Sequence, residues 1–317
     1  MRLAILDDFQ NVVKSIGDWS KIEDRVDVTV FNDHLEDKDA LIERLEPFDI
    51  AFVIRERSKF PRDVLERLPN LKLLITAGMR NRSIDLAAAE AQGITVCGTG
   101  GSGNSTAELT WGLIICVMRN IPEQVQAIRE GGWQIGLGVG LMGRTLGIIG
   151  LGRQGSAVAK IGKGFDMDIV AWSRSLTPER CAEQDVRLAE SLEALLAQSD
   201  VVTIHVPLTD SSRGLIGAKE LSQMKGGAYL INTSRGPIVE EAALIDAIKN
   251  GGIAGAGLDV FDVEPLPADH PYRTLPGIVP TPHLGYTARE NYERYCPDVI
   301  ENIDAFLKGE PTRVISA

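Results

Sequence analysis

Short runs of Val, Ile and Leu recur from one end of the chain to the other, and segments with the period of a helix fill the gaps between them. Runs that are apolar throughout need cover on both faces, and parallel neighbours need a long crossover, so this rhythm specifies parallel sheets sheathed by helices. The class is therefore α/β. A first series of strands is expected at residues 2–6, 26–31, 49–54, 71–76 and 94–96, with helices at 39–45, 61–68 and 84–92. Pro61 suits the first turn of its helix, and Gly93 the left-handed position just past a helix end. A second series is expected at 145–149, 168–172, 201–205, 228–232 and 254–258, followed by a closing helix over 287–307. Between the two series, residues 98–103 read GTGGSG, ahead of an apolar helix at 105–119 and another at 122–130 that stops at Gly131 and Gly132. That glycine-dense stretch reads as a domain boundary or hinge.

With 317 residues, 44% of them hydrophobic, the chain is long enough for two domains, each with its own core. A formal charge of −11 argues against a nucleic-acid partner. The four cysteines, Cys97, Cys116, Cys181 and Cys296, are too scattered for a zinc pattern or a disulfide framework. No metal is expected, and a reducing, cytoplasmic setting fits. The opening apolar run meets Asp7 and Asp8 too soon for a signal peptide, and no stretch approaches the roughly 18 apolar residues of a membrane helix. Neither secretion nor membrane insertion is expected.

Directly after the run at 145–149, residues 150–155 read G-L-G-R-Q-G and lead into a helix at 156–163. In that context Gly150 permits a tight turn, Gly152 lets the backbone approach a pyrophosphate, and Gly155 lets helix and strand pack closely. The free N–H groups of the helix start would hold the anion, with Arg153 and Gln154 beside them. Many βα turns carry glycine without a ligand, but strand before and helix after favour a dinucleotide. The next strand ordinarily ends in an acid that binds the adenosine ribose; here it ends in Ser173 and Arg174. An acid would repel a 2′-phosphate, whereas Arg174 offers it a charge-assisted bond of about 1.5–3 kcal/mol. The expected cofactor is NADP(H). The ordinary alternative makes Arg174 a solvated loop charge and NAD(H) the cofactor.

Three later strands each end in polar residues, where open α/β sheets bind ligands. The segments are N-T-S-R-G-P around Arg235, G-L-D-V-F-D-V-E-P from Gly257 to Pro265, and P-T-P-H-L-G around His283. Together with the glycine turn, these ordered motifs resemble the D-2-hydroxyacid dehydrogenase family over nearly the whole chain. The resemblance implies that Arg235 binds the substrate carboxylate and keto oxygen, that His283 is the acid–base and that Glu264 orients it. It also implies an acid, Asp259, beside the nicotinamide carboxamide, Thr233 and Ser234 bordering the same pocket, Val206 and Pro207 flanking the adenine, and Thr106 facing the cofactor.

The chemistry asks for these residue types on its own account. Hydride delivery to a ketone leaves negative charge on oxygen, so a donor titrating near neutrality must stand within reach. A carboxylate partner favours the imidazolium, and a planar guanidinium grips carboxylate and carbonyl oxygens together. Singly, Arg235 is equally a strand cap, Glu264 a turn acid and His283 a buried histidine, and the ordered set is what carries the reading; for Asp259 a cofactor contact ranks above a strand-end turn residue, and the simplest role of Thr106 is a helix cap.

On the substrate side, relatives commonly carry G-x-G-x-D-N-I-D, and residues 77–85 read A-G-M-R-N-R-S-I-D. The N–H groups of Gly78 and Met79 are expected to meet a substrate carboxylate. Arg55, at the end of the third strand, is a further pocket candidate, while Arg80 and Arg82 serve either a larger anion or the surface. The expectation is two doubly wound domains. A flavodoxin-like catalytic domain comprises residues 1–98 and 286–317, and a Rossmann cofactor domain residues 99–285. The function implied is reduction of a small 2-keto acid, such as glyoxylate or hydroxypyruvate, to the D-2-hydroxy acid. The apolar helices after Gly103, with Trp111 and Trp133, resemble the family's dimerisation region, so a homodimer is expected; the same helices are equally readable as core. Two competing functions stand beside this one: a corepressor-like dinucleotide sensor with little turnover, and a methyltransferase, which leaves Arg235, Glu264 and His283 without a shared task.

Overall fold

The computed structural model describes residues 1–101 and 103–316; Ser102, inside the glycine-dense stretch, and Ala317 lie outside the described residues. The chain divides into two compact units, one of Met1–Gly103 with Ala288–Ala317 and one of Asn104–Thr287.

The first unit holds five strands, β1 (Arg2–Leu6), β2 (Asp27–Val30), β3 (Ile50–Val53), β4 (Leu73–Thr76) and β5 (Thr95–Gly98). All pair in parallel in the order β2-β1-β3-β4-β5, the doubly wound order of flavodoxin-like domains. β3 and β4 are buried at every position, as interior parallel strands must be. The crossovers carry α1 (Lys38–Leu45), α2 (Arg62–Leu65) and α3 (Leu86–Ala91). Asp37 and Asp85 cap α1 and α3 by accepting from Ala40 N and Ala88 N. Pro61 is the N-cap of α2, one place before the helical turn expected for it. Gly93 takes the left-handed conformation at φ 72°. One sheet face, including Ala4, Leu6, Ala51, Val53 and Leu74, packs under these helices.

The second unit holds α4 (Ser105–Met118), α5 (Ile121–Arg129), β6 (Thr145–Ile149), α6 (Arg153–Gly164), β7 (Asp168–Trp172), α7 (Pro178–Glu183) and β8 (Arg187–Leu188). It continues with α8 (Leu192–Gln198), β9 (Val201–Ile204), α9 (Ala218–Ser222), β10 (Tyr229–Asn232), α10 (Glu241–Lys249), β11 (Gly255–Leu258) and β12 (Ile278–Pro280). The seven strands are parallel in the order β12-β11-β10-β9-β6-β7-β8. The strand order therefore reverses between β6 and β9, whose ends meet at the register Ile149↔Ile204, and the crevice beyond those ends is where such sheets bind ligands. α4 is apolar on most of its circumference and packs across β10, β11 and α6. Trp111 accordingly is core, 4% exposed and donating from Nε1 to Val158 O, and not a surface residue.

The last helix, α11 (Arg289–Leu307), returns to the first unit and packs against β4. Among the described residues no helix is long and apolar enough to cross a membrane.

Candidate functional site

β6 runs straight into the glycine turn, and the three glycines are needed for different reasons. Gly150 has φ 100°, and a Cβ there would also lie 2.9 Å from Val206 Cγ1 and from the His205 carbonyl carbon. A Cβ on Gly155 would lie 2.0 Å from the Gly150 carbonyl oxygen, so helix and turn are packed to backbone contact. Gly152 is the N-cap of α6, with no side-chain cap and nothing within 4 Å of where its Cβ would point. The helix therefore starts without a side-chain cap, beside open space on the side where a Gly152 side chain would point, with Arg153 as its first residue and Gln154 Oε1 buried without a hydrogen-bond partner among the described residues. Such a start is suited to a pyrophosphate.

A cleft of about 440 Å³ opens from this turn along the ends of β6, β7 and β9. It brings together Gly150, Gly152, Ser173, Arg174, Val206 and Pro207, all residues expected at a nucleotide site. Arg180, from the first turn of α7, also lines it and was not foreseen. Its position six residues beyond Arg174 gives no sign that a helical turn would swing it back to the cleft. His205 lines the cleft too, with Nε2 3.0 Å from Thr203 Oγ1, and burial pushes its pKa down to about 4, so the ring is neutral near pH 7.

Around the ends of β10, β11 and β12 the backbone is tied into a second cluster. Asn232 donates from Nδ2 to Arg235 O and accepts from Ser234 N, forming the turn that presents Arg235. Ser234 Oγ donates to Val206 O, Thr233 Oγ1 lies 2.9 Å from Thr110 Oγ1, and Arg235 Nη1 donates to Ser234 O. Gly236 abuts the next loop, for a Cβ there would lie 2.1 Å from the Phe261 carbonyl carbon. That loop carries Glu264, whose Oε1 accepts from Phe261 N at 2.9 Å and whose Oε2 meets His283 Nδ1 at 2.5 Å. His283 has φ 54°, an unusual conformation for a non-glycine residue, and its ring stands edge-on to Tyr286.

Asp259 explains how that conformation is held. Its carboxylate, on a residue 1% exposed, accepts from Thr281 Oγ1 at 2.6 Å, Leu284 N at 2.7 Å and Gly285 N at 2.8 Å. The bonds bracket His283 on both sides. Burial raises the Asp259 pKa above the usual carboxylate range, opposed by the Thr281 hydroxyl, the Leu284 amide, His283 and the Gly285 amide. Ser105 and Thr106 donate their hydroxyls to Gly285 O, each at 2.9 Å, so Thr106 braces the same loop; the N-cap of α4 is Asn104.

Within the first unit, Arg55 and Gly78 touch. Arg55, at φ 60°, donates from Nη1 to Ala77 O, and a Cβ on Gly78 would lie 2.2 Å from that same nitrogen. The Gly78 N–H donates to Thr99 Oγ1, so within this unit it is already occupied, while Met79 is exposed. Asn81 is buried and ties Arg55 O to Thr76 Oγ1; no feature of the sequence marked it out.

Compared with known proteins, residues 111–285 match the family model for the D-isomer specific 2-hydroxyacid dehydrogenase, NAD binding domain. The chain is 41% identical over 281 residues to glyoxylate reductase of Thermococcus litoralis, covering 85% of this chain and 84% of that protein. It is 38% identical over 276 residues to D-3-phosphoglycerate dehydrogenase of Methanocaldococcus jannaschii, covering 86% of this chain but spanning only 52% of that longer protein. Among solved structures, phosphoglycerate oxidoreductase from Vibrio cholerae aligns with TM-score 0.92 at 37% identity over 98% of this chain and 99% of the other.

Proposed function

The chain belongs to the D-isomer specific 2-hydroxyacid dehydrogenase family, and on that premise we propose that it is an NADP(H)-dependent reductase of a small 2-keto acid, giving the D-2-hydroxy acid. The observation that carries the reading is the His283–Glu264 pair at 2.5 Å, on the same carboxyl edge of one parallel sheet as the glycine turn. When bound, the reduced nicotinamide supplies the hydride. Gly150, Gly152, Arg153, Gln154 and Gly155 hold the pyrophosphate, Ser173 and Arg174 the adenosine ribose, and Val206 and Pro207 the adenine. Thr106, Thr233, Ser234 and Asp259 border the nicotinamide end.

Arg235 grips the carboxylate and carbonyl oxygen of the acid, and its fixed charge stabilises the negative charge that hydride addition leaves on that oxygen. Glu264 holds one proton on His283 Nδ1, and a second ring proton, carried on Nε2, is the one passed to the oxygen as the hydride arrives on carbon. Arg55 and Met79 are proposed substrate contacts of the first unit, with Gly78, whose N–H Thr99 holds, as a contact only if that bond is exchanged for the substrate; we take this unit as the catalytic domain, the second being the cofactor domain. Glyoxylate and hydroxypyruvate are the substrates to try first. We place the protein in the cytoplasm, in keeping with four cysteines that are all unpaired. A homodimer is proposed from the exposed apolar side chains after α5, where Trp133 is 73%, Leu137 94% and Met142 76% exposed.

The test is the initial rate of NADPH and, separately, NADH oxidation with glyoxylate, hydroxypyruvate, pyruvate and a bulky aromatic keto acid. Turnover favouring NADPH is expected. Nucleotide binding with no turnover on any acid would overturn the reading in favour of a dinucleotide sensor.

A further inference from the structure

We propose that Arg180 is a second specificity-determining cation of the nucleotide cleft, closing with Arg174 on the 2′-phosphate of the adenosine ribose. The proposal rests on the NADP(H) reading above and extends it to a residue that no motif marks.

The cleft is unusual for this molecule. The chain carries 44 acidic and 33 basic residues, yet the described lining of the cleft includes two arginines and not one Asp or Glu. Ser173, Arg174 and Ser175 arrive directly from the end of β7, and Arg180 arrives from α7, so consecutive pieces of chain bring two arginines to the lining of the same cavity. The backbone of Arg180 is fixed by its N–H, which donates to the N-cap hydroxyl of Thr177. Its side chain is aimed rather than free. Nη2 donates to Ser156 Oγ at 3.2 Å, on the first turns of α6, and Nη1 bonds Glu183 Oε2 at 3.0 Å. The guanidinium thus spans from α7 to the helix that starts at the glycine turn, and its remaining N–H groups have no protein acceptor among the described residues.

The charge of the ligand decides what such a pair is for. A phosphomonoester carries about −1.5 to −2 at pH 7 and presents three acceptor oxygens. One planar guanidinium satisfies two of them, and the balance of charge and the third oxygen call for another cation. A ribose 2′-hydroxyl needs neither, and would leave two cations lining a cleft to which the described residues contribute no acid. Glu183, an exposed neighbour one turn along α7, competes for Arg180 and repels the incoming dianion.

The experiment is calorimetric titration of the full-length protein with adenosine 2′,5′-bisphosphate and with ADP, which lacks the 2′-phosphate. Wild type is expected to prefer the bisphosphate. Arg180→Ala should weaken it roughly ten- to a hundredfold, as loss of a charge-assisted contact does, while changing ADP affinity less than about twofold. Retained ADP binding also shows that the variant is folded. Glu183→Gln should tighten the bisphosphate a few-fold and leave ADP unchanged. Equal losses for both ligands in Arg180→Ala, or no loss for either, overturn the proposal. The failures are separable: a wild type without preference sinks the NADP(H) reading, whereas a wild-type preference abolished by Arg174→Ala but untouched by Arg180→Ala sinks this inference alone.

Discussion

Gly236→Ala is the substitution that best tests whether the loops after β10 and β11 act as one rigid pair. A Cβ at Gly236 would lie 2.1 Å from the Phe261 carbonyl carbon, 2.3 Å from its oxygen and 2.6 Å from Asp262 N, and ordinary contact begins near 3.4 Å. The obstacle is backbone, so no side chain can swing away, and the loop must retreat by more than about 1 Å. Phe261 N anchors Glu264 at 2.9 Å, and Glu264 reaches His283 at 2.5 Å, so the displacement carries the carboxylate out of hydrogen-bond range of the imidazole. Losing a charge-assisted bond costs about 1.5–3 kcal/mol, which at the proton-transfer step is roughly a ten- to hundredfold fall in kcat. Overpacking costs about 1–3 kcal/mol of stability, or roughly 2–12 °C in Tm for a unit of this size. Stopped-flow NADPH oxidation with glyoxylate, melting curves and calorimetric NADPH binding read the three effects. Nucleotide affinity should change little, because the 150–155 turn is untouched. A kcat within twofold of wild type, at unchanged Tm, would refute the rigid-pair argument.

His283→Ala and Arg235→Ala should each lose most turnover, at least a hundredfold, while still binding NADPH; near-wild-type rates in either would reject the assignment of their roles. His205 has its pKa lowered from 6.5 to about 4, so protonation is disfavoured by folding, and stability present above pH 6.5 drains away as pH falls towards 4. His205→Asn should flatten that acid limb in denaturant melts taken from pH 7 to pH 4, and an unchanged slope would contradict it. Trp133→Asp should convert a dimer to a monomer by light scattering without lowering the melting temperature of dilute protein; a wild-type mass already monomeric would reject the dimer.

The fold was legible because burial writes itself directly into composition. β3, β4, β9 and β10 are buried at every position, and their sequences are apolar but for Thr76, Thr203 and Asn232. β8, two exposed residues long, carries too little apolar signal and was not anticipated, while β12, three residues ending in Pro280, was legible only through the polar strand end that precedes His283. The glycine turn, Arg235, Glu264 and His283 were readable because each needs a particular residue type at a strand end. What escaped was everything fixed by approach in space. Arg180 reaches the cleft by a helical turn, Gly236 matters for a backbone 25 residues away in sequence, and Asn81 braces Arg55 across two loops. Asp259 was read toward a ligand, yet both its oxygens are engaged by the loop that holds His283.

The return of α11 to the first unit has a consequence for synthesis. A ribosome delivers β1 to β5 first, then all of Asn104–Thr287, and only then the helix whose Tyr295, Val299 and Ile303 are buried in the first unit. At about 5–20 residues per second, the second unit takes on the order of ten seconds or more to emerge. Throughout that interval the first sheet lacks the helix that packs on β4, and apolar surface stands open to a chaperone or to a neighbouring nascent chain. A circular permutant beginning at Ala288 and joined through to Met1 would remove the wait, because the helix would then precede the sheet it covers.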